Sequence, residues 1–298
     1  MATPLYFLSG PTASGKTELA HQLAARNGWR LLSADAMMVY RGMNVGTAKP
    51  TAAEIEAFDY AGVDLVDPDQ PFSVGDWLRA VSGQLDERPT LVVGGTGLYF
   101  RALLEGLAPA ADLPEVDDTR PLSELQAELQ ALDPAALGQL ADPENPRRVA
   151  RAIAWLRAGQ PLPRHWRQGH ARHPVPVLRW PTPLLDERIH CRTRQLFAGG
   201  LLEEAEGLLN RYSGISKTAR QAIGYSEAFE VVGGRMTLEA AVAAVALRTR
   251  QYAKRQRTWF RNQLSAVWVD LPWEDAADFL QKVWQERPPF TFIGQHHD

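Results

Sequence analysis

The stretch SGPTASGKT, Ser9 to Thr17, constrains this chain more than any other. Gly10, Gly15, Lys16 and Thr17 satisfy G-x-x-x-x-G-K-[ST], a loop whose backbone N–H groups and following helix N-terminus cradle phosphate oxygens. Such a loop is meaningful only between a strand and a helix. Leu5-Tyr-Phe-Leu8 is a short apolar run suited to a buried strand, and Glu18-Leu-Ala-His-Gln-Leu-Ala-Ala25 has helical periodicity. The predicted phosphate loop comprises Gly10, Pro11, Thr12, Ala13, Ser14, Gly15, Lys16 and Thr17. The alternative is a chance match in a surface loop, and the flanking strand and helix argue against it.

Further apolar runs follow at Arg30–Ala34, closed by Asp35, at Thr90–Val93, closed by Gly94-Gly95, at Val175–Trp180 and at Val267–Val269. Helical patterns separate them, which predicts an α/β fold built on a mostly parallel sheet with helices on both faces. A chain of 298 residues exceeds the usual size of one core, so a smaller lobe is expected. Residues 113–165 supply it, because Pro114 and Pro121 precede helical patterns at Leu122–Leu129 and Arg147–Leu156. The expected organisation is a P-loop NTPase-like core over 1–112 and 166–288, a small helical insertion domain over 113–165, and a frayed tail over 289–298.

Cys191 is the only cysteine, which excludes a disulfide framework and a cysteine-based zinc module and fits a reducing, cytoplasmic home. The N-terminus leads directly into the first predicted strand, and no apolar stretch approaches the roughly eighteen residues of a membrane span. A soluble, unsecreted protein with no membrane partner is expected. The formal net charge is −3, yet the basic residues cluster. No acid occurs between Glu144 and Asp186, where Arg147, Arg148, Arg151, Arg157, Arg164, Arg167, Arg172 and Arg179 fall. A second island, Arg248, Arg250, Lys254, Arg255, Arg257 and Arg261, crowds one predicted helix. Together they point to a polyanion larger than a nucleotide, with a solvated helix face as the alternative for either alone. His165, His170 and His173 have no zinc-site spacing and belong to a solvated or RNA-facing connection.

A nucleotide-hydrolysing P-loop protein places an acid at the end of a second apolar strand to hold magnesium. Here Thr90–Val93 ends in Gly94-Gly-Thr-Gly97, and such an acid is not evident. Asp35 is the acid that closes an early strand, at the mouth of the sheet beside the P-loop, where doubly wound folds bind ligands. It is a candidate base, or a helix N-cap for the residues that follow it.

At this point several blocks together resemble one family. Gly10 to Thr17, SADAMMVYRGMNVGTAKP from Ser33, VDPDQPFSV from Val66, VVGGTGLYFRALLEGL from Val92, RQAIGY from Arg220 and TRQYAKRQRTWFR from Thr249 are similar to the bacterial tRNA dimethylallyltransferases. The resemblance spans nearly the whole chain in the right order. It implies transfer of a dimethylallyl group from dimethylallyl diphosphate to N6 of adenine-37 in a tRNA anticodon stem-loop, by a monomer. The loop, with Lys16 and Mg2+ on the Thr17 hydroxyl, would then stabilise a departing diphosphate, and Asp35 would take the N6 proton. The adenine must leave its stack to be reached.

The resemblance also implies catalytic roles for Lys16, Asp35 and Thr96, and diphosphate contacts from Arg220 and Lys254. For the tRNA it implies Asp35, Ala36, Met37, Met38, Thr96 and the block Arg147, Arg148, Val149, Ala150 and Arg151. Taken alone, a Met pair after a strand is more often core. On the Thr249–Arg261 helix, Arg250, Lys254, Arg257 and Arg261 share one face, and Arg248, Tyr252, Arg255 and Trp259 another; one face is expected at the diphosphate.

The chain departs from the family pattern at Ala36, where a serine is usual, at Asp117, where a basic residue is usual, and at Asp142-Pro-Glu-Asn145 in place of His-Pro-Asn-Asp. A small-molecule P-loop kinase would share the loop and the acid after the second strand without needing the basic islands. An RNA-binding module with a degenerate loop would keep the islands and lack turnover.

Overall fold

Strands that are apolar without alternation are expected where both sheet faces are covered, and this sheet meets that condition. The computed structural model describes residues 2–107, 113–140, 142–163, 171–272 and 275–293, the side chains of 171 and 172 excepted. β1 (Ala2–Ser9), α1 (Lys16–Asn27) and β2 (Arg30–Ser33) are followed by α2 (Ala52–Ala57), α3 (Val74–Gln84), β3 (Thr90–Gly94) and α4 (Gly97–Glu105). Three helices come next, α5 (Leu122–Leu132), α6 (Ala136–Gln139) and α7 (Pro146–Arg157). The chain continues through β4 (Ala171–Arg179), α8 (Thr182–Ala198), α9 (Leu201–Arg211) and α10 (Tyr225–Val232). It ends with α11 (Leu238–Gln263), β5 (Leu264–Asp270), α12 (Ala276–Glu286) and β6 (Phe290–Ile293).

The chain divides into two compact units, one formed by Met1–Glu105 with His170–Asp298 and the other by Gly106–Gly169. In the first, the strand order is β2-β3-β1-β4-β5, every neighbouring pair parallel. Leu5, Phe7, Leu32, Val92, Val175 and Val177 bury one face against Trp77 of α3, Tyr99 and Phe100 of α4 and Phe260 of α11. Leu8, Leu31, Leu91, Val93, Leu178 and Val269 bury the other against Ala20, Leu23 and Ala24 of α1 and Leu280 of α12.

For Phe290–Ile293, the described part of the tail, the expectation of fraying is corrected. β6 lies antiparallel along the start of β1, pairing Ala2 with Ile293 and Leu5 with Phe290, and Phe292 is buried. Because β4 reaches β1 only at Ser9, the edge of β1 ahead of that point is open, and β6 satisfies its N–H and C=O groups.

The register then decides where a ligand can sit. Ser9 pairs with Gly94, and Ser33 with Val93, so β1, β3 and β2 end at one level. The phosphate loop, the Gly94–Thr96 turn and Asp35 therefore emerge side by side at the carboxyl end of the sheet, in that order. The described helices include none long and apolar enough to cross a membrane.

In the second unit, Leu125 and Leu129 of α5 pack on Val149 and Ile153 of α7. The Asn145 side chain accepts from Arg147 N at 3.1 Å, and Pro146 follows at the first helical position, so the Asp142–Asn145 departure keeps a working cap.

Candidate active site

The loop leaves β1 too tightly for any side chain at Gly10, where a Cβ would stand 2.8 Å from Ser14 Oγ and 3.1 Å from Leu178 Cβ. Ala13 at φ 62° and Gly15 at φ 84° adopt left-handed backbone, the kind of turn from which anion-binding concavities are built. α1 begins at Lys16 without any side-chain cap, so the N–H groups of its first turn remain available to an anion. Ser14 Oγ is buried with no hydrogen-bond partner among the described residues, a cost that a bound phosphate oxygen would remove.

Three side chains hold this loop from outside. Arg188 Nε donates to Ala13 O at 2.8 Å and Trp180 Nε1 to Ser14 O at 3.0 Å, while Gln256 Oε1 accepts from Thr12 N at 2.9 Å. The Arg188 guanidinium also lies 4.6 Å over the Trp180 ring. Leu185 and Ile189 of α8 pack with Ala13 and with Ala253 of α11, which is how these helices come to the loop.

Charge converges on the same place. Burial brings the Lys16 ammonium down to about 8; Asp35 opposes the shift and Arg192 adds to it. Arg192 is itself lowered by burial and steadied by Asp35. Both cations feel the charge of Asp35, and with the α1 N-terminus they leave a surplus of positive charge suited to a diphosphate. Burial, with Asp35 next, pushes Tyr252 up to about 12, against the Thr96 hydroxyl and Gln256 amide that face its phenol.

Asp35 is half-buried, and its Oδ1 accepts from Met37 N at 2.9 Å, closing a turn and capping no helix. No described hydrogen bond engages Oδ2. Thr96 ties this turn to the end of β3: its N–H donates to Ala34 O at 3.1 Å, and its Oγ1 accepts from Ala36 N at 3.0 Å. The Thr96 hydroxyl also meets the Tyr252 phenol.

The structure thus brings together Lys16, Asp35, Thr96, Ala36 and the loop from Gly10 to Thr17. Met37 packs against one core and Met38 against the other, where Ser33 Oγ meets Met38 Sδ at 3.5 Å. Arg220 is exposed; its Nε donates to Ile215 O at 3.1 Å, and no described contact takes it to the loop. Lys254 is exposed on α11 without a described contact there.

In the helical unit Arg147, Arg148 and Arg151 are exposed, and Arg147 meets Asp118 at 3.0 Å. Val149 and Ala150 are 0 % and 4 % exposed, which corrects their place among the RNA-facing residues: they are the buried side of the helix that displays the arginines. His165, His170, Arg164 and Arg167 lie outside the described residues. The His173 ring is half-buried and sits 5.4 Å from Phe7 and 5.6 Å from Phe290, in an aromatic contact and not in a solvated connection.

The two charged faces expected on α11 are also corrected. The stripe that reaches the site is Tyr252, Gln256 and Trp259, uncharged throughout. Arg250 instead contacts His190 and Arg257 contacts Thr182, both at 3.1 Å, while Arg248 pairs with Glu227. Arg188, which holds the loop, and Arg192, whose charge acts on Lys16 and Asp35, stand four apart on α8. That spacing is visible in the sequence, but no local signal ties α8 to the loop.

A family model described as IPP transferase matches residues 38–263, and one described as isopentenyl transferase matches residues 3–61. A tRNA dimethylallyltransferase of Anaeromyxobacter dehalogenans is 40% identical over 295 residues, covering 92% of this chain and 97% of its own. One from Myxococcus xanthus is 41% identical, covering 91% and 94%. The crystal structure of the tRNA isopentenylpyrophosphate transferase from Bacillus halodurans superposes with a TM-score of 0.67 at 31% identity, covering 95% of this chain and 96% of that one. A eukaryotic dimethylallyltransferase acting on tRNA, at 20% identity and a TM-score of 0.76, shares the fold over 99% of this chain and 82% of its own.

Proposed function

The chain belongs to the IPP transferase family, in which the relatives above are tRNA dimethylallyltransferases, and we propose that it transfers a dimethylallyl group from dimethylallyl diphosphate to N6 of adenine-37 beside the anticodon. The observation that carries this reading is the pairing of an uncapped phosphate cradle with a carboxylate whose Oδ2 is uncommitted, on the ends of strands of one sheet.

In the reaction the allylic carbon–oxygen bond breaks, a carbon–N6 bond forms, and one N6 proton is lost. Negative charge grows on the departing diphosphate, where the loop N–H groups, the Ser14 hydroxyl, Lys16 and Arg192 stabilise it. The N6 lone pair is delocalised into the purine, so its attack gains from concerted loss of the proton to Asp35 Oδ2. Oδ1 stays bonded to Met37 N, which holds the carboxylate in place. The Thr96 hydroxyl, which accepts from Ala36 N and faces the Tyr252 phenol, would steady the turn that carries Asp35.

The described residues contain no cluster of His, Cys, Asp or Glu able to enclose a metal alone. That suits magnesium, which takes few protein ligands and completes its shell with phosphate oxygens and water. The Thr17 hydroxyl would be its protein ligand, and the ion would neutralise charge on the diphosphate. The test is the mass of an anticodon stem-loop after incubation with dimethylallyl diphosphate and magnesium, which should rise by one dimethylallyl group. No mass gain, with ADP formed from ATP and a small acceptor, would favour a kinase.

The helical unit is proposed to grip the tRNA anticodon stem through Arg147, Arg148 and Arg151. Replacing all three with glutamine should lower tRNA affinity and reduce the slope of log affinity against log salt by about two to three, close to one per lost phosphate contact. Donor affinity should not move. An unchanged slope would leave these arginines as a solvated helix face.

A further inference from the structure

We infer that Gln256 is a positioning residue that locks the diphosphate loop in register with the loop that orders the base, an inference resting on the function proposed above. Gln256 is 6 % exposed, and both ends of its amide are used. Oε1 accepts from Thr12 N at 2.9 Å, and Nε2 donates to Gly95 O at 2.9 Å. The backbone partners settle the orientation, since a flipped amide would oppose donor to donor and acceptor to acceptor.

The bond to Gly95 continues toward the carboxylate. Thr96 N–H donates to Ala34 O at 3.1 Å, Ala36 N to Thr96 Oγ1 at 3.0 Å, and Met37 N to Asp35 Oδ1 at 2.9 Å. One hydrogen-bonded path therefore runs from the phosphate cradle to the proposed base, and Gln256 is its bridge. β1 and β3 cease to pair after Ser9 and Gly94, and no described backbone hydrogen bond joins the two loops beyond that point. Gly95 is glycine for the same reason, because a Cβ there would stand 2.3 Å from Gln256 Nε2.

The transfer needs this register. The donor is anchored in one loop and the acceptor ordered by the other, so the reacting carbon and nitrogen meet only if the loops keep their spacing. A misplacement of about 1 Å can cost about a hundredfold in rate. Gln256 touches neither reacting atom in this scheme and acts through the loops.

Two variants break the bridge from opposite sides. Gln256→Met removes the amide at similar volume, and Gly95→Ala displaces it while leaving Gln256 in the chain. Single-turnover transfer with both substrates saturating should fall by roughly tenfold to a hundredfold in each, with tRNA affinity and thermal midpoint near the parental values. Gln256→Glu adds a signature that a packing role would not produce. Only its protonated carboxyl can accept from Thr12 N–H and donate to Gly95 O together, and burial raises a carboxyl's pKa. Its rate relative to the parent should therefore rise as pH falls from about 8 to about 5.5.

Parental rates in Gln256→Met and Gly95→Ala, a flat ratio for Gln256→Glu, or losses of tRNA affinity and thermal midpoint matching the loss of rate would each overturn the inference. A parent protein that transfers nothing to the stem-loop would instead defeat the functional reading on which it rests.

Discussion

Lys16→Met is expected to slow single-turnover transfer by roughly a hundredfold to a thousandfold, the usual effect of removing one preorganised charge-stabilising group from an active site. The argument turns on where the charge sits. Lys16 opens α1, its Nζ weakly tethered to Pro11 O at 3.5 Å, and the charges of Asp35 and Arg192 both act on it. Charge grows on the diphosphate only as the allylic bond breaks, so the ammonium favours the transition state over the ground state. The rate should therefore fall more than donor affinity does, and tRNA affinity should stay within about twofold because no RNA contact is removed. Equal losses in tRNA binding and transfer would mean the loop had collapsed.

The same lysine sets a pH dependence. Burial brings its pKa down to about 8 in the free protein, and a bound diphosphate favours its charged form and raises that value. Between the free and bound values, binding takes up a proton. Donor affinity should be greatest below about 8 and fall as pH rises through the window above it, with at most one proton of slope. Calorimetry in buffers of different ionisation enthalpy should show that uptake in the parent and lose it in Lys16→Met. Uptake persisting in the variant would assign the proton to another group.

The parts of this site that were legible in sequence are those made by contiguous residues. SGPTASGKT states its own fold because loop, N–H groups and helix start are neighbours in the chain, and the strands show themselves as unbroken apolar runs covered on both faces. The rest depends on long-range contact. Gly95 and Gly97 read as a tight turn, yet what requires glycine there is the approach of α11, with Gln256 and Trp259 at 2.3 and 2.0 Å from the positions a Cβ would take. Gln256 stands 161 positions from Gly95, in a run whose arginines draw attention first. Those arginines stay where water or a neighbouring side chain can meet the charge, while the stripe entering the site is uncharged, since burying an unpaired guanidinium is costly. β6 is not legible in the sequence because a four-residue strand carries little pattern of its own, and its partner lies at the other end of the chain.

Asp35→Asn separates the proposed base from the turn cap, because the structure gives the two carboxylate oxygens different work. Asn Oδ1 can still accept from Met37 N, so the turn, the Thr96 contacts and the fold should survive. The amide that replaces Oδ2 cannot take a proton. Single-turnover transfer with both substrates saturating should fall by about a hundredfold to ten-thousandfold, the worth of a positioned general base. The substitution has one side effect that can be anticipated. Asp35 is the group that pulls Lys16 upward against burial, so its loss lets the Lys16 pKa drop below about 8 and moves the fall in donor affinity to lower pH. Transfer should therefore be compared well on the acidic side of that window, where Lys16 keeps its proton in both proteins and the difference reports on proton removal alone. A variant that transfers at nearly the parental rate there would show that the N6 proton goes to water or to the departing diphosphate. A variant that loses thermal stability together with both affinities would leave Asp35 with the cap as its only role, since a base contributes to the rate and a cap to the fold.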